Sequence, residues 1–241
     1  MTNYPTNVSD SQWQIISKFL DVERSRKYDL RDIVNAILYL VKTGCQWRML
    51  PQDFPGWKIV YYYFSTRKKS SLIEVIHESL VEQTRKVNEK NEEPAVGIID
   101  AQSVKNTLVS SEDKGFAAGK KVKGIKRHII VDTLGLILAV VIQSASVQDR
   151  EGAISVIDKL TENWKKIIKI FAASGYRGEL LATVKNRFKI ELEIRADALK
   201  FIIGFLTFAA IVLKKCSQQP HFYIFPIFCL YLPDSNNACQ A

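Results

Sequence analysis

Residues 127–142 read RHIIVDTLGLILAVVI, two apolar runs separated by Thr133, Leu134 and Gly135. Short runs rich in Ile and Val, hinged on a glycine, predict an antiparallel β-hairpin. Upstream of it, residues 95–100 (AVGIID) form a third apolar run that ends in an acid. Downstream, Asp149 reads as the cap of a helix with Ile154, Val156, Ile157 and Leu160 inside. A strand over 167–172, a helix over 177–186 and a strand over 189–194 complete the series. Hairpins pair antiparallel and helical crossovers return parallel strands, so the order predicts an α/β fold with a mixed sheet.

Such a sheet with helices on its faces has the outline of an RNase H-like fold, which hosts metal-dependent nucleases and strand-transfer enzymes. Phosphodiester cleavage with two Mg²⁺ ions needs hard oxygen ligands, and carboxylates from separate elements must converge on them. Asp100, expected at the C-terminal end of the first strand, is the natural first catalytic and metal-binding acid. Its alternative is a turn residue beside Gln102 and Ser103. Asp132, next to Thr133 and near Gly135, reads as a turn residue instead.

The first ninety residues carry the period of helices. Ser9 and Gln12 make a capping box ahead of Trp13, Ile16 and Leu20. Asp29 caps a second helix whose stripe is Leu30, Ile33, Ile37, Leu40 and Val41, with Gly44 as its stop. After a loop over 46–56, a third helix runs from Trp57 through Tyr61, Tyr62, Tyr63 and Phe64 to Arg67, Lys68 and Lys69. A fourth spans 71–87, with Leu72, Val75, Ile76, Leu80 and Val87 as its inner face. Two helices joined by a Gly/Pro loop, the second aromatic and basic, suit either a helix-turn-helix unit or a plain helical bundle with cations at a helix C-terminus. In the first case Arg67, Lys68 and Lys69 hold DNA phosphates. The charged stretch 87–94, VNEKNEEP, then reads as a linker. The expected organisation is a helical unit over 1–88, a linker over 89–94, a core over 95–200 and a tail over 201–241.

The chain of 241 residues holds 34 Lys and Arg against 25 Asp and Glu, a net charge of +9 that points towards a polyanion. Lys114, Lys120, Lys121, Lys123, Lys126 and Arg127 stand among Gly115, Gly119 and Gly124. Glycines let a backbone approach phosphates, and each paired lysine adds salt-dependent, sequence-independent attraction. This segment is read as a DNA track, with a solvated hairpin loop as its alternative. The four cysteines, Cys45, Cys216, Cys229 and Cys239, have no CxxC spacing. Neither a zinc site nor a disulfide framework is supported, and the expected compartment is the cytoplasm. The start, MTNYPTNVSD, lacks the pattern of a signal peptide.

Seven segments together carry a resemblance. They are VSDSQW (8–13), KYDLRDIVNAILYLVKTGCQWRMLPQDFP (27–55), VYYYF (60–64), GIIDAQSVK (97–105), GKKVKGIKRHIIVDTLGLILAVVI (119–142), QDREGA (148–153) and SGYRGEL (174–180). In these the chain resembles a bacterial insertion-sequence transposase of the DDE superfamily, in the group with a short helical N-terminal domain. The resemblance implies DNA binding, Mg²⁺-dependent cleavage and strand transfer, and duplex DNA at transposon ends as the partner, with self-association left open. It places the first catalytic Asp on Asp100, and Arg177 within a segment that contacts DNA. It places the second Asp on Ala173, where this chain has a methyl group. The third acid, a Glu in a WVVERTF-like segment, has no counterpart, and no Glu follows Glu193.

From Phe201 onward only Lys214, Lys215 and Asp234 are charged, in a chain that is 24% charged. The apolar run over 201–213 falls short of the ~18–20 residues that span a bilayer, so no stable membrane insertion is expected. A frame-shifted end is the preferred reading. Three functions follow: a transposase-family protein that holds DNA but has lost its catalytic acids, a working nuclease with substitute acids such as Asp132, or a non-enzymatic membrane-associated or interaction protein.

Overall fold

The structure, a computed structural model, describes residues 4–105, 115–117 and 121–195. Lys114, Lys120 and the apolar tail lie outside the described residues. The chain forms two compact units that divide between Leu80 and Val81. That division falls inside a helix, ahead of the charged stretch expected to be the linker. The cause is local: Arg85, near the end of that helix, is buried against the second unit's own Asp132.

In the first unit, α1 (Asp10–Ser17) begins with the predicted capping box. The Gln12 amide donates to Ser9 Oγ at 3.3 Å, and the Ser9 amide donates to Gln12 Oε1 at 2.8 Å. Helix α2 (Leu30–Thr43) is capped by Asp29, which accepts the Arg31 amide at 2.8 Å, and Gly44 closes it in the left-handed region. Its stripe is wider than predicted. Ile33, Val34, Ala36, Ile37, Leu38, Leu40 and Val41 are all buried, so α2 is itself the core of the unit. Asn35, also buried there, accepts the Val8 amide at 2.9 Å. After a short 3₁₀ turn (Trp47–Met49), α3 (Trp57–Lys69) buries only Val60 and Phe64. Helix α4 (Leu72–Val87) crosses from this unit into the next.

The inner face expected for α4 needs correcting. Ile73, Ile76, Leu80 and Val81 are buried, whereas Val75 and Val87 are exposed. At 100° per residue Val75 points away from the side shared by Ile73, Ile76, Leu80 and Val81. Val87 sits in the last turn, beyond the packed part of the helix.

The second unit carries the mixed sheet. Its strands are β1 (Val96–Lys105), β2 (Gly115–Ala117), β3 (Val122–Val131), β4 (Ile137–Ser144), β5 (Lys169–Ala172) and β6 (Glu191–Ile194). Strand β3 pairs antiparallel with β1, β2 and β4, while β5 lies parallel to β1 and β6 parallel to β5. This is the mixed α/β arrangement predicted for an RNase H-like core. Helices α5 (Asp149–Asn163) and α6 (Leu180–Phe188) are the crossovers. Helix α5 packs closely on β3, because Gly152 lies over His128. A Cβ there would run into the imidazole ring. At its other end Trp164 Nε1 donates to the Leu138 carbonyl at 3.1 Å, tying α5 to β4.

Candidate functional site

Asp100 lies in the middle of β1, not at its end as expected, because β3 continues to pair with β1 as far as Lys105. It is the shorter β5 that stops here. Ile99 pairs with Ala172, which places Asp100 and Ala173 on the next rung of the same parallel ladder. The Arg195 amide donates to the Ala172 carbonyl at 2.9 Å, bringing Arg195 to the adjoining position past β6. Neighbouring positions across three strands thus hold a carboxylate, a methyl group and a guanidinium. Arg195 stacks 4.9 Å over the Phe171 ring and donates from Nε to Glu193 Oε1 at 3.0 Å.

Past Ala173 a 3₁₀ turn (Ser174–Tyr176) folds Tyr176 inward until it is 2% exposed. Its hydroxyl has no hydrogen-bond partner among the described residues. Burial raises its pKa, and the negative charges of Asp100 and then Asp149 raise it further. Asp149 is the first residue of α5 and not its cap, which is Gln148 with no side-chain bond to the helix. The acid is instead paired with Lys126, whose Nζ lies 2.8 Å from Asp149 Oδ1 and 2.5 Å from the Val147 carbonyl. Among the described residues no group of three or more His, Cys, Asp or Glu could hold a metal ion.

Asp132 lies three residues beyond Ile129, the partner of Asp100, roughly 10 Å along β3. Its Oδ1 accepts the amides of Leu134 and Leu136, each at 2.8 Å, and its Oδ2 pairs with Arg85 Nη1. The turn role predicted for it is the one it has.

The expected DNA track is thinner than the sequence suggests. Lys121 and Lys123 are exposed, but Lys126 is 8% exposed and Arg127 only 1%. A central strand covered on both faces hides consecutive side chains alike, so Lys126 and Arg127 leave the surface track. Arg177 is exposed, as its expected role requires. Two further cations went unnoticed in the sequence. Arg150 is exposed and reaches over Gly178 (φ +107°), with Nη1 3.3 Å from where a Cβ would sit. Arg195 is the other, and only strand register could have shown its place beside Ala173.

On α3 the predicted cations also divide. The Arg67 guanidinium lies 5.3 Å over the Tyr63 ring, and burial pulls its pKa down to about 10. Arg67 stays charged at neutral pH but is half-buried, as is Lys68, whereas Lys69 is exposed. No helix among the described residues is long and apolar enough to cross a membrane.

Comparison with protein families gives two matches. Residues 8–77 match the model described as "Putative transposase of IS4/5 family", and residues 91–209 match that described as "Transposase DDE domain". The second match continues past residue 201, into the segment where the charge pattern changes. Curated proteins gave no match.

Proposed function

We propose, from the premise that this chain belongs to the insertion-sequence transposases of the DDE superfamily, that it acts in DNA transposition as a protein that grips duplex DNA without cutting it. A DDE domain implies a divalent metal, typically Mg²⁺. The residues around Asp100 do not fit a metal pair. Two such ions need several converging carboxylates, and the neighbouring rung offers the Ala173 methyl. Arg195 adds positive charge beside that rung, and Asp149 is already paired with Lys126. The observation that carries this reading is the Asp100–Ala173 rung.

The competing reading, a working nuclease with Asp132 as a substitute acid, asks a buried carboxylate to abandon Arg85 and two amides. Breaking such a pair leaves a buried charge uncompensated. DNA binding is supported by the exposed cations Lys121, Lys123, Arg150 and Arg177, all in the second unit.

The test uses the full chain, Mg²⁺ or Mn²⁺, and a supercoiled plasmid carrying the DNA that flanks its own gene. The expected result is a salt-sensitive gel shift with no nicking and no strand transfer. Ala173→Asp alone is expected to stay inactive, because one added carboxylate does not supply the third acid. Nicking by the unaltered chain that disappears in Asp100→Ala would overturn the reading.

A further inference from the structure

The rung that carries Ala173 can be followed across three strands. Ile98 pairs with Phe171, and Phe171 with Glu193, so these three side chains stand on one face of the sheet. Side chains alternate along a strand, so Asp100, Ala173 and Arg195, two residues further on, share that face. The contact of Arg195 with the Phe171 ring agrees with that placement. At ~4.8 Å between strands, Arg195 stands next to Ala173, and Asp100 lies roughly 10 Å away on the other side of the methyl group.

The Arg195 guanidinium is held at one edge and open at the other. Phe171 lies 4.9 Å from it, and Nε donates to Glu193 Oε1 at 3.0 Å. Lys169 takes up both nearby glutamates, with Glu191 Oε2 at 3.3 Å and Glu193 Oε2 at 3.0 Å. Arg195 therefore shares a single carboxylate oxygen, and its two Nη groups have no hydrogen-bond partner among the described residues. Half of its side-chain surface, 50%, is exposed. A charged fork with donors to spare matches two oxygens of a phosphate. What keeps the fork open is its neighbour. A carboxylate at position 173 would stand one strand spacing from Arg195, pair with it and repel a phosphate, whereas the Ala173 methyl does neither. Exposed Arg177, four residues past Ala173, and Arg150, over Gly178, extend the positive charge beyond the turn.

We infer that the Ala173–Arg195 rung holds a backbone phosphate of duplex DNA on the Arg195 guanidinium, and that this contact needs no divalent metal. The inference rests on the DNA-binding reading above and names one phosphate contact of that grip. A divalent ion and a guanidinium repel each other at this spacing, so the rung suits one or the other. Loss of the acid at 173 removes a ligand for the first and frees the second.

The test measures binding of the full chain to a random-sequence duplex against salt, with Mg²⁺ or with EDTA at matched ionic strength. The parent should bind no more tightly in Mg²⁺. Arg195→Ala should lower the slope of log affinity against log salt by about one. Ala173→Asp should do the same, because its carboxylate closes the fork, whereas Ala173→Asn, isosteric but uncharged, should bind like the parent. Asp100→Asn should bind at least as well as the parent, the opposite of what a metal-held phosphate requires. Ala173 is half-exposed and Arg195 exposed, so thermal melts of the variants should match the parent. Inorganic phosphate titrated alone should give no heat; heat that Arg195→Ala abolishes would overturn the duplex as the ligand. An Arg195→Ala variant with the parent's affinity and slope overturns the inference and leaves DNA binding standing. Binding that strengthens in Mg²⁺ and loses that gain in Asp100→Asn overturns it too, since metal then holds the phosphate. A parent chain that binds no duplex at any salt overturns the broader reading as well.

Discussion

Two aspartates about 10 Å apart in one sheet show opposite fates of a carboxylate. Asp132, at the β3–β4 turn, is 1% exposed, and both of its oxygens are engaged by Arg85 and by the Leu134 and Leu136 amides. Asp100 is half-exposed on β1, beside a methyl group and near a buried tyrosine whose hydroxyl has no partner among the described residues. The first acid is enclosed by groups that need its charge. The second lies beside the Ala173 methyl, with Arg195 one position further across the sheet. A buried acid held by Arg85 and two turn amides belongs to stability, and a half-exposed acid near a buried tyrosine of raised pKa is a candidate for chemistry.

The hairpin end should be the easier place to break the molecule. Asp132→Ala leaves the Arg85 guanidinium buried without its carboxylate and two turn amides without their acceptor. The expected loss is about 3–5 kcal/mol, read as a lowered urea midpoint. Arg85→Ala should cost a similar amount, and the double variant less than the sum, because the partners share one interaction. Independent losses that simply add would show that the pair is not what holds α4 to the turn.

The contact of α5 with β3 falls at His128, beside Ile129, the residue that pairs with Asp100. Gly152→Ala places a methyl group against the His128 ring, with helix backbone on one side and a buried strand on the other. Overpacking of this kind costs about 1–3 kcal/mol. A thermal melt unchanged from the parent would mean that α5 can lift off the sheet without penalty.

Tyr176→Phe sharpens the contrast because its sign reverses. The buried hydroxyl has no partner among the described residues, so its removal should leave stability unchanged or raise it by about 1 kcal/mol. The same truncation at a satisfied tyrosine would lower stability. Loss of stability in Tyr176→Phe would reveal a hydrogen bond, through water or a ligand, and would make the surroundings of Asp100 a completed site.

How much of this was legible in the sequence depends on the reach of each signal. The capping box at Ser9, the Asp29 cap and the turn role of Asp132 all follow from residues within four positions of one another, and each is found in the structure. The hairpin order likewise led to the mixed sheet. What depended on long-range register was hidden. Lys126 and Arg127 looked like surface cations because their text is basic, yet β3 is covered on both faces. Arg195 looked like the end of a strand, and pairing puts it next to Ala173. On α3 the run Arg67, Lys68, Lys69 drew the eye to the helix end, while the aromatic run from Tyr61 to Phe64 was left without a division into buried and exposed rings. Composition does not separate an aromatic that packs from one that protrudes; only the burial of Val60 and Phe64 on the other face does.

The smallest expected effect lies at the far edge of the sheet, where charges are satisfied but open to solvent. Lys169 Nζ lies 3.0 Å from Glu193 Oε2 and 3.3 Å from Glu191 Oε2. The hydrogen bond from Lys169 holds the Glu193 carboxyl below its ordinary pKa, and Arg195 lowers it further. The folded pKa is therefore the lower one, so the stability Glu193 contributes is present above the unfolded carboxylate pKa of about 4.3 and is lost as pH falls through the folded value. For Lys169 the bonds to Glu193 and Glu191 raise the pKa, so its contribution holds through neutral pH and is lost only as pH rises through its folded value. Melting temperatures of the parent and Glu193→Gln should differ slightly at about pH 7, converge below about pH 3, and draw together in high salt, because exposed pairs are screened. Asp132→Ala should remain far less stable than the parent in high salt, since a buried pair feels little screening. A Glu193 effect as large and as salt-resistant as that of Asp132 would erase the distinction between the hairpin end and the edge of the sheet.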